Sequence, residues 1–149
     1  MRSPSGIPGI FNCRKNGGDR GILFTDEILS SNLTCLSGQT AYLTDHPQAI
    51  AKFLKALIRA EALAKQDPAE GRRIVSDALA IAPELLAELW TSLDLRVSLD
   101  QALLVSLENQ ARWAQANQIV GGTTVPNYLN FIYFAGLDAV RPESITIIR

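Results

Sequence analysis

The sequence predicts an α/β fold in which helix dominates, with about five helices and two or three short strands. Apolar residues recur at helical spacing from Pro47 onward. Prolines preceded by cap-type or small residues divide that stretch into segments. Short runs of consecutive apolar or β-branched residues lie before and after it, the pattern of strands covered on both faces. At 149 residues, 47% of them hydrophobic, one core is expected.

Five glycines (Gly6, Gly9, Gly17, Gly18 and Gly21) and two prolines precede Ile22, so residues 1–21 read as an irregular segment. Residues 22–149 then form the structured part. Ile22-Leu23-Phe24-Thr25 and Leu33-Thr34-Cys35-Leu36 are the predicted early strands, and Ile145-Thr146-Ile147-Ile148 is the predicted closing strand.

The first helix opens at Pro47 and runs to about Gln66. Ile50, Phe53, Leu54, Leu57 and Ile58 form its apolar stripe, with Lys52, Lys55, Arg59 and Glu61 assigned to its flanks or wet side. Asp67 before Pro68 is the predicted N-cap of a second helix, whose stripe is Ile74, Val75, Ala78 and Leu79. Pro83 opens a third with Leu85, Leu86, Leu89, Trp90 and Leu93 on one face. Ser98, three residues before Gln101, is a capping-box candidate for a fourth helix reaching about Gln118 and stopped by Gly121-Gly122. That helix buries Leu103, Leu104, Leu107 and Ala111, with Trp113 beside them. A short fifth helix is expected from Pro126, carrying Tyr128, Leu129, Ile132 and Tyr133.

Fourteen basic against fifteen acidic side chains give a net charge of −1, with no basic face for phosphate, so nucleic acid is not an expected partner. No apolar run approaches the roughly 20 residues that span a bilayer, and no membrane insertion is expected. The first residues, Met1-Arg2-Ser3-Pro4-Ser5-Gly6, hold no apolar stretch of the secretory kind, so the chain as written is expected to stay in the cytoplasm. Cys13 and Cys35 with one histidine do not make a metal site, and neither a metal nor a cofactor is expected. His46, directly before Pro47, reads as a helix-start residue and not as a catalytic base, and no catalytic residues are assigned.

The run Leu43-Thr44-Asp45-His46-Pro47-Gln48-Ala49-Ile50-Ala51-Lys52-Phe53-Leu54-Lys55-Ala56-Leu57, followed by Ala60-Glu61-Ala62 and Asp67-Pro68-Ala69-Glu70-Gly71, resembles the back half of ABC-transporter substrate-binding proteins of the nitrate, taurine and aliphatic-sulfonate group. Trp113, Val125-Pro126-Asn127-Tyr128-Leu129 and Val140-Arg141-Pro142-Glu143-Ser144-Ile145 are similar to the end of that family. Gln48 stands where the group usually has an acidic residue. The resemblance covers roughly residues 15–149. It implies the C-terminal portion of a periplasmic-binding-protein fold of type II, in which two α/β lobes close on a ligand. The implied partners are a small anionic solute and an ABC permease, and the implied location is the periplasm. Residues 25–32 would then lie near the hinge, where Ser30, Ser31 and Asn32 offer hydroxyl and amide groups to a ligand oxyanion; the same residue types also satisfy turn backbone.

Two alternatives stand beside this reading. One is an enzyme related to the pyrimidine-precursor synthases of thiamine biosynthesis, which are similar in fold. That chemistry needs a lysine for a pyridoxal phosphate link and reactive histidines, and His46 alone does not supply the latter. The other is a small helical interaction module using Trp90, Trp113, Tyr128, Phe131, Tyr133 and Phe134 as anchors.

Overall fold

The computed structural model describes residues 33–122 and 124–149. Ile22-Leu23-Phe24-Thr25 and Cys13 lie outside them. Among the described residues six α-helices follow one another: α1 (Thr40–Asp45), α2 (Pro47–Gln66), α3 (Pro68–Leu79), α4 (Pro83–Trp90), α5 (Gln101–Ala116) and α6 (Phe134–Asp138). Two 3₁₀ turns, Tyr128–Phe131 and Pro142–Ser144, flank α6.

The local signals set the first part of this order. Pro47, Pro68 and Pro83 each sit in the first turn of their helix, where no intrahelical N–H is required. Asp67 ends one helix and begins the next: its N–H donates to Leu63 O at 2.8 Å, while its Oδ1 accepts from Glu70 N at 3.0 Å. α3 stops at Ala80, which takes the left-handed conformation at φ 52°. Ile81 N–H closes the turn on Ser76 O, and Ser76 Oγ donates to Ile81 O at 2.7 Å.

α2, α3 and α4 pack in sequence, and α6 returns onto α2. Two glycines permit the close approaches. A Cβ on Gly71 of α3 would come within 3.0 Å of the Trp90 ring, and one on Gly136 of α6 would meet Ile50 and Leu54 of α2 at 3.1 Å. Leu86, Leu89, Leu104, Leu137 and Ile147 form the buried hydrophobic core.

Several sequence expectations change. Residues 33–36 form no strand; the backbone there is irregular, and Leu33 and Leu36 are exposed. The closing strand reduces, among the described residues, to one parallel bridge between Leu99 and Ile145, and the segment it meets turns into α5 two residues later. Among the described residues there is no longer ladder. The Ser98 capping box does not form: Asp100 is the N-cap position of α5, and Ser98 Oγ donates to Asp100 Oδ2 at 2.8 Å instead. α5 ends at Ala116, and Gln118 leaves it with φ 57°. The helix expected from Pro126 is a single 3₁₀ turn in which Asn127 Oδ1 accepts from Leu129 N. On α3 the expected stripe is largely wet: Ile74, Ala78 and Leu79 are exposed, and the covered surface is Gly71 with half-buried Val75.

Candidate functional site

Glu61 is the one buried charged side chain among the described residues, at 8% exposure. Its assignment to the flanks or wet side of the first helix is therefore overturned. The reason lies in the helix itself: Glu61 follows Leu57 by four residues and Ile58 by three, which puts it at the end of the apolar stripe. A carboxylate there needs partners, and two arrive from distant chain and a third from its own helix.

Glu61 Oε2 accepts from Arg141 NH2 at 2.7 Å and from Val97 N–H at 3.0 Å, while Oε1 accepts from Lys65 Nζ at 2.7 Å, one turn along α2. Arg141 NH2 also donates to Val97 O. Both backbone groups of Val97 are thus satisfied by side chains, as a neighbouring strand would satisfy them. The Arg141 hydrogen bond chiefly holds the Glu61 carboxyl at about 2, with Lys65 and the Val97 N–H adding to it against the opposing effect of burial. Glu61 is accordingly a fixed anion. Arg141 Nε is buried and has no partner among the described residues.

Around this cluster lies a cleft of about 180 Å³ that also takes in Arg96, Ser98, Asp100, Glu143, Ser144 and Thr146. Arg96 is engaged as well: its Nε donates to Asp94 Oδ2 at 2.7 Å, and its NH2 lies 3.5 Å from Asp100 Oδ2. Those carboxylates raise the Arg96 pKa. Thr146 Oγ1 accepts from Gln101 N–H at the start of α5 and donates to Asp100 Oδ1.

Both guanidinium groups are neutralised by neighbouring carboxylates, and Glu143 adds a further acid at the rim. A small oxyanion entering the cleft meets paired cations and three acids, so this arrangement does not favour one. Nor does it form a hydrolytic triad: Ser98 Oγ is engaged with Asp100, and the single histidine lies elsewhere. What the cluster does is join α2, the segment entering α5 and the C-terminal segment on one carboxylate.

Ser30, Ser31 and Asn32 lie outside the described residues. His46 sits between α1 and α2, its ring 4.5 Å from that of Tyr42. With Asp45, Pro47, Gln48, Ala49 and Lys52 it lines an open depression of about 490 Å³ at the start of α2. Of the aromatic candidates, Trp113 and Phe131 are exposed, and Trp90, Tyr128, Tyr133 and Phe134 are half-buried. Among the described residues no group of three or more His, Cys, Asp or Glu is placed to hold a metal ion, and no helix is long and apolar enough to cross a membrane. Comparison with protein-family models, curated proteins and solved structures finds no match to this chain.

Proposed function

We propose that the chain is the C-terminal part of the substrate-binding component of an ABC transporter, its helices covering a sheet of a type II periplasmic-binding-protein lobe. The observation that carries this reading is the gap between apolar stripe and buried core. Phe53, Ile74, Leu79 and Trp113 occupy stripe or stripe-side positions at helical spacing, yet remain exposed, Trp113 at 62%. Helices patterned to cover something lack part of what they cover. The parallel sense of the Leu99 to Ile145 bridge is the sense used in α/β lobes.

The solute is a small anion such as a sulfonate, taurine or nitrate-like species, by the family resemblance. Ser30, Ser31 and Asn32 are the proposed oxyanion contacts, and an ABC permease is the proposed partner, in the periplasm. The acid-rich cleft at Glu61 takes no part in solute capture and ties the helical cover together.

Exposed Trp113 and Phe131 equally suit the interaction-module reading, and unfolding separates the two. Urea unfolding of the purified chain, followed by tryptophan fluorescence and far-UV circular dichroism together, is expected to give broad, non-coincident transitions with a hydrophobic dye bound before unfolding. One coincident cooperative transition without dye binding would mean a complete core and overturn the lobe reading. The solute is tested by grafting the chain in place of the C-terminal part of a sulfonate-binding protein. The hybrid is expected to bind sulfonate, with weaker binding after Ser30→Ala or Asn32→Ala. A folded hybrid that binds neither sulfonate nor nitrate removes the solute assignment.

A further inference from the structure

We propose that the outer face of α2, from Lys52 to Leu63, docks the protein peripherally on an anionic lipid bilayer. This surface is independent of the solute site proposed above.

Ion pairing elsewhere in the chain leaves this face out. Among the described residues Lys65, Arg73, Arg96, Arg112, Arg141 and Arg149 each lie within ion-pair distance of a carboxylate. Lys52, Lys55 and Arg59 have no such partner there, and all three are exposed. They stand at i, i+3 and i+7, which a helix sets along one line. The one acid of α2, Glu61, follows Arg59 by two residues and faces the opposite way, into the core. Cations three and four residues apart repel, so this row weakens the helix that carries it until anions from outside the chain neutralise it.

The residues between the cations narrow the class of partner. Every exposed residue of α2 from Lys52 to Leu63 is a cation or is apolar: Phe53, Ala56, Ala60 and Leu63 are interleaved with the three charges, and no exposed acid, amide or hydroxyl stands among them. The outer faces of α3 and α5 differ, since Arg73 bridges Glu70 and Asp77, and Arg112 pairs with Glu108. Opposite signs matched in place suit a helix that faces water. Cations spaced by apolar side chains suit a headgroup layer, where the charged tips meet phosphate while Phe53, 49% exposed, and Leu63 reach the acyl boundary.

Shape agrees with charge. The face is the convex side of a single helix. Of the two clefts described above, one lies on the Glu61 side, and the other, whose lining includes the Asp45 carboxylate, touches the row only at Lys52. A protein partner gains most of its energy by filling pockets, whereas a plane of headgroups needs none. Three cations, each worth about fivefold at an anionic surface, make the contact weak, reversible and sensitive to salt.

Cosedimentation of the full chain with vesicles of equal parts phosphatidylglycerol and phosphatidylcholine, at low salt, is the test. The chain is expected to bind these vesicles, to leave them when salt is raised, and to ignore vesicles of phosphatidylcholine alone. The triple variant Lys52→Gln, Lys55→Gln, Arg59→Gln, with circular dichroism unchanged, is expected to bind about 100-fold more weakly. Arg14→Gln with Lys15→Gln, the other basic run, is expected to bind as the parent does. No binding at low salt overturns the proposal, as does equal binding to phosphatidylcholine alone. Binding that the triple variant keeps overturns it by placing the contact on another surface. Capture of polyglutamate in place of vesicles, lost in the triple variant, overturns the lipid assignment in favour of an acidic protein.

Discussion

Residues 47–90 and residues 91–149 are held by different means. In the first stretch each helix packs on the next, and its boundaries follow from residues within one turn: a proline at each start, Asp67 as a shared cap, Ala80 as a left-handed stop. In the second, position is set by side chains reaching far along the sequence. Glu61 meets Val97 across 36 residues and Arg141 across 80, and Gln101 meets Ile148 across 47. Local order can be assembled piece by piece, whereas the second stretch depends on a few polar groups whose loss has no local substitute.

The largest effect expected from that contrast is at Arg141. Arg141→Ala leaves Glu61 buried with only Lys65 and one N–H for company, and the expected cost is about 3 kcal/mol. Amide exchange should show the loss in residues 97–100 and 141–149 while α3 and α4 stay protected. Equal loosening of both stretches would dissolve the distinction.

Acid should act on the same joint. The Glu61 carboxyl is held at about 2 against an ordinary value of 4.5, so ionisation favours the folded state. Its contribution is complete above pH 4.5 and is lost as pH falls from there to about 2, on the order of 3 kcal/mol at most. Amide protection of residues 97–100 and 141–149, corrected for the intrinsic pH dependence of exchange and followed across that window, checks this, and Glu61→Gln should flatten the slope.

Smaller effects belong to the first stretch. Asp67→Ala removes the cap at the α2 to α3 turn and should cost about 1 kcal/mol, seen as faster amide exchange in α3. Ala80→Gly relieves a positive φ and should raise stability by about 0.7 kcal/mol by the same measurement. Arg73 spans Glu70 and Asp77 on the outer face of α3, where water screens the pairs. Arg73→Ala is therefore expected to leave amide exchange in α3 unchanged.

The same contrast explains what could be read from sequence. α2 was legible to its ends because Pro47, a five-residue stripe and Asp67 all act within the helix, and α3 followed from Asp67-Pro68. The closing strand was not, because Ile145 needs a neighbour and sequence pattern does not reveal how much neighbour exists; among the described residues it is Leu99 alone. α1 escaped notice because Thr40–Asp45 is six residues long with no side-chain cap, and α6 because Phe134–Asp138 is shorter still. The cluster at Glu61 did leave a trace. Helical spacing from Leu54, Leu57 and Ile58 puts that carboxylate on the apolar stripe, although nothing nearby names Arg141 as the cation. The proposed solute contacts Ser30, Ser31 and Asn32 remain readings from resemblance.

The span between Glu61 and Arg141 also bears on the order in which the chain assembles. Contacts among α2, α3 and α4 close short loops and form early, while bringing Arg141 to Glu61 must close one of 80 residues. The C-terminal segment therefore docks last, onto a helical platform already in place. During synthesis α2 has left the ribosome long before Arg141 is made, and through that interval the Glu61 carboxylate is solvated, with Lys65 one turn along the helix as a close cation.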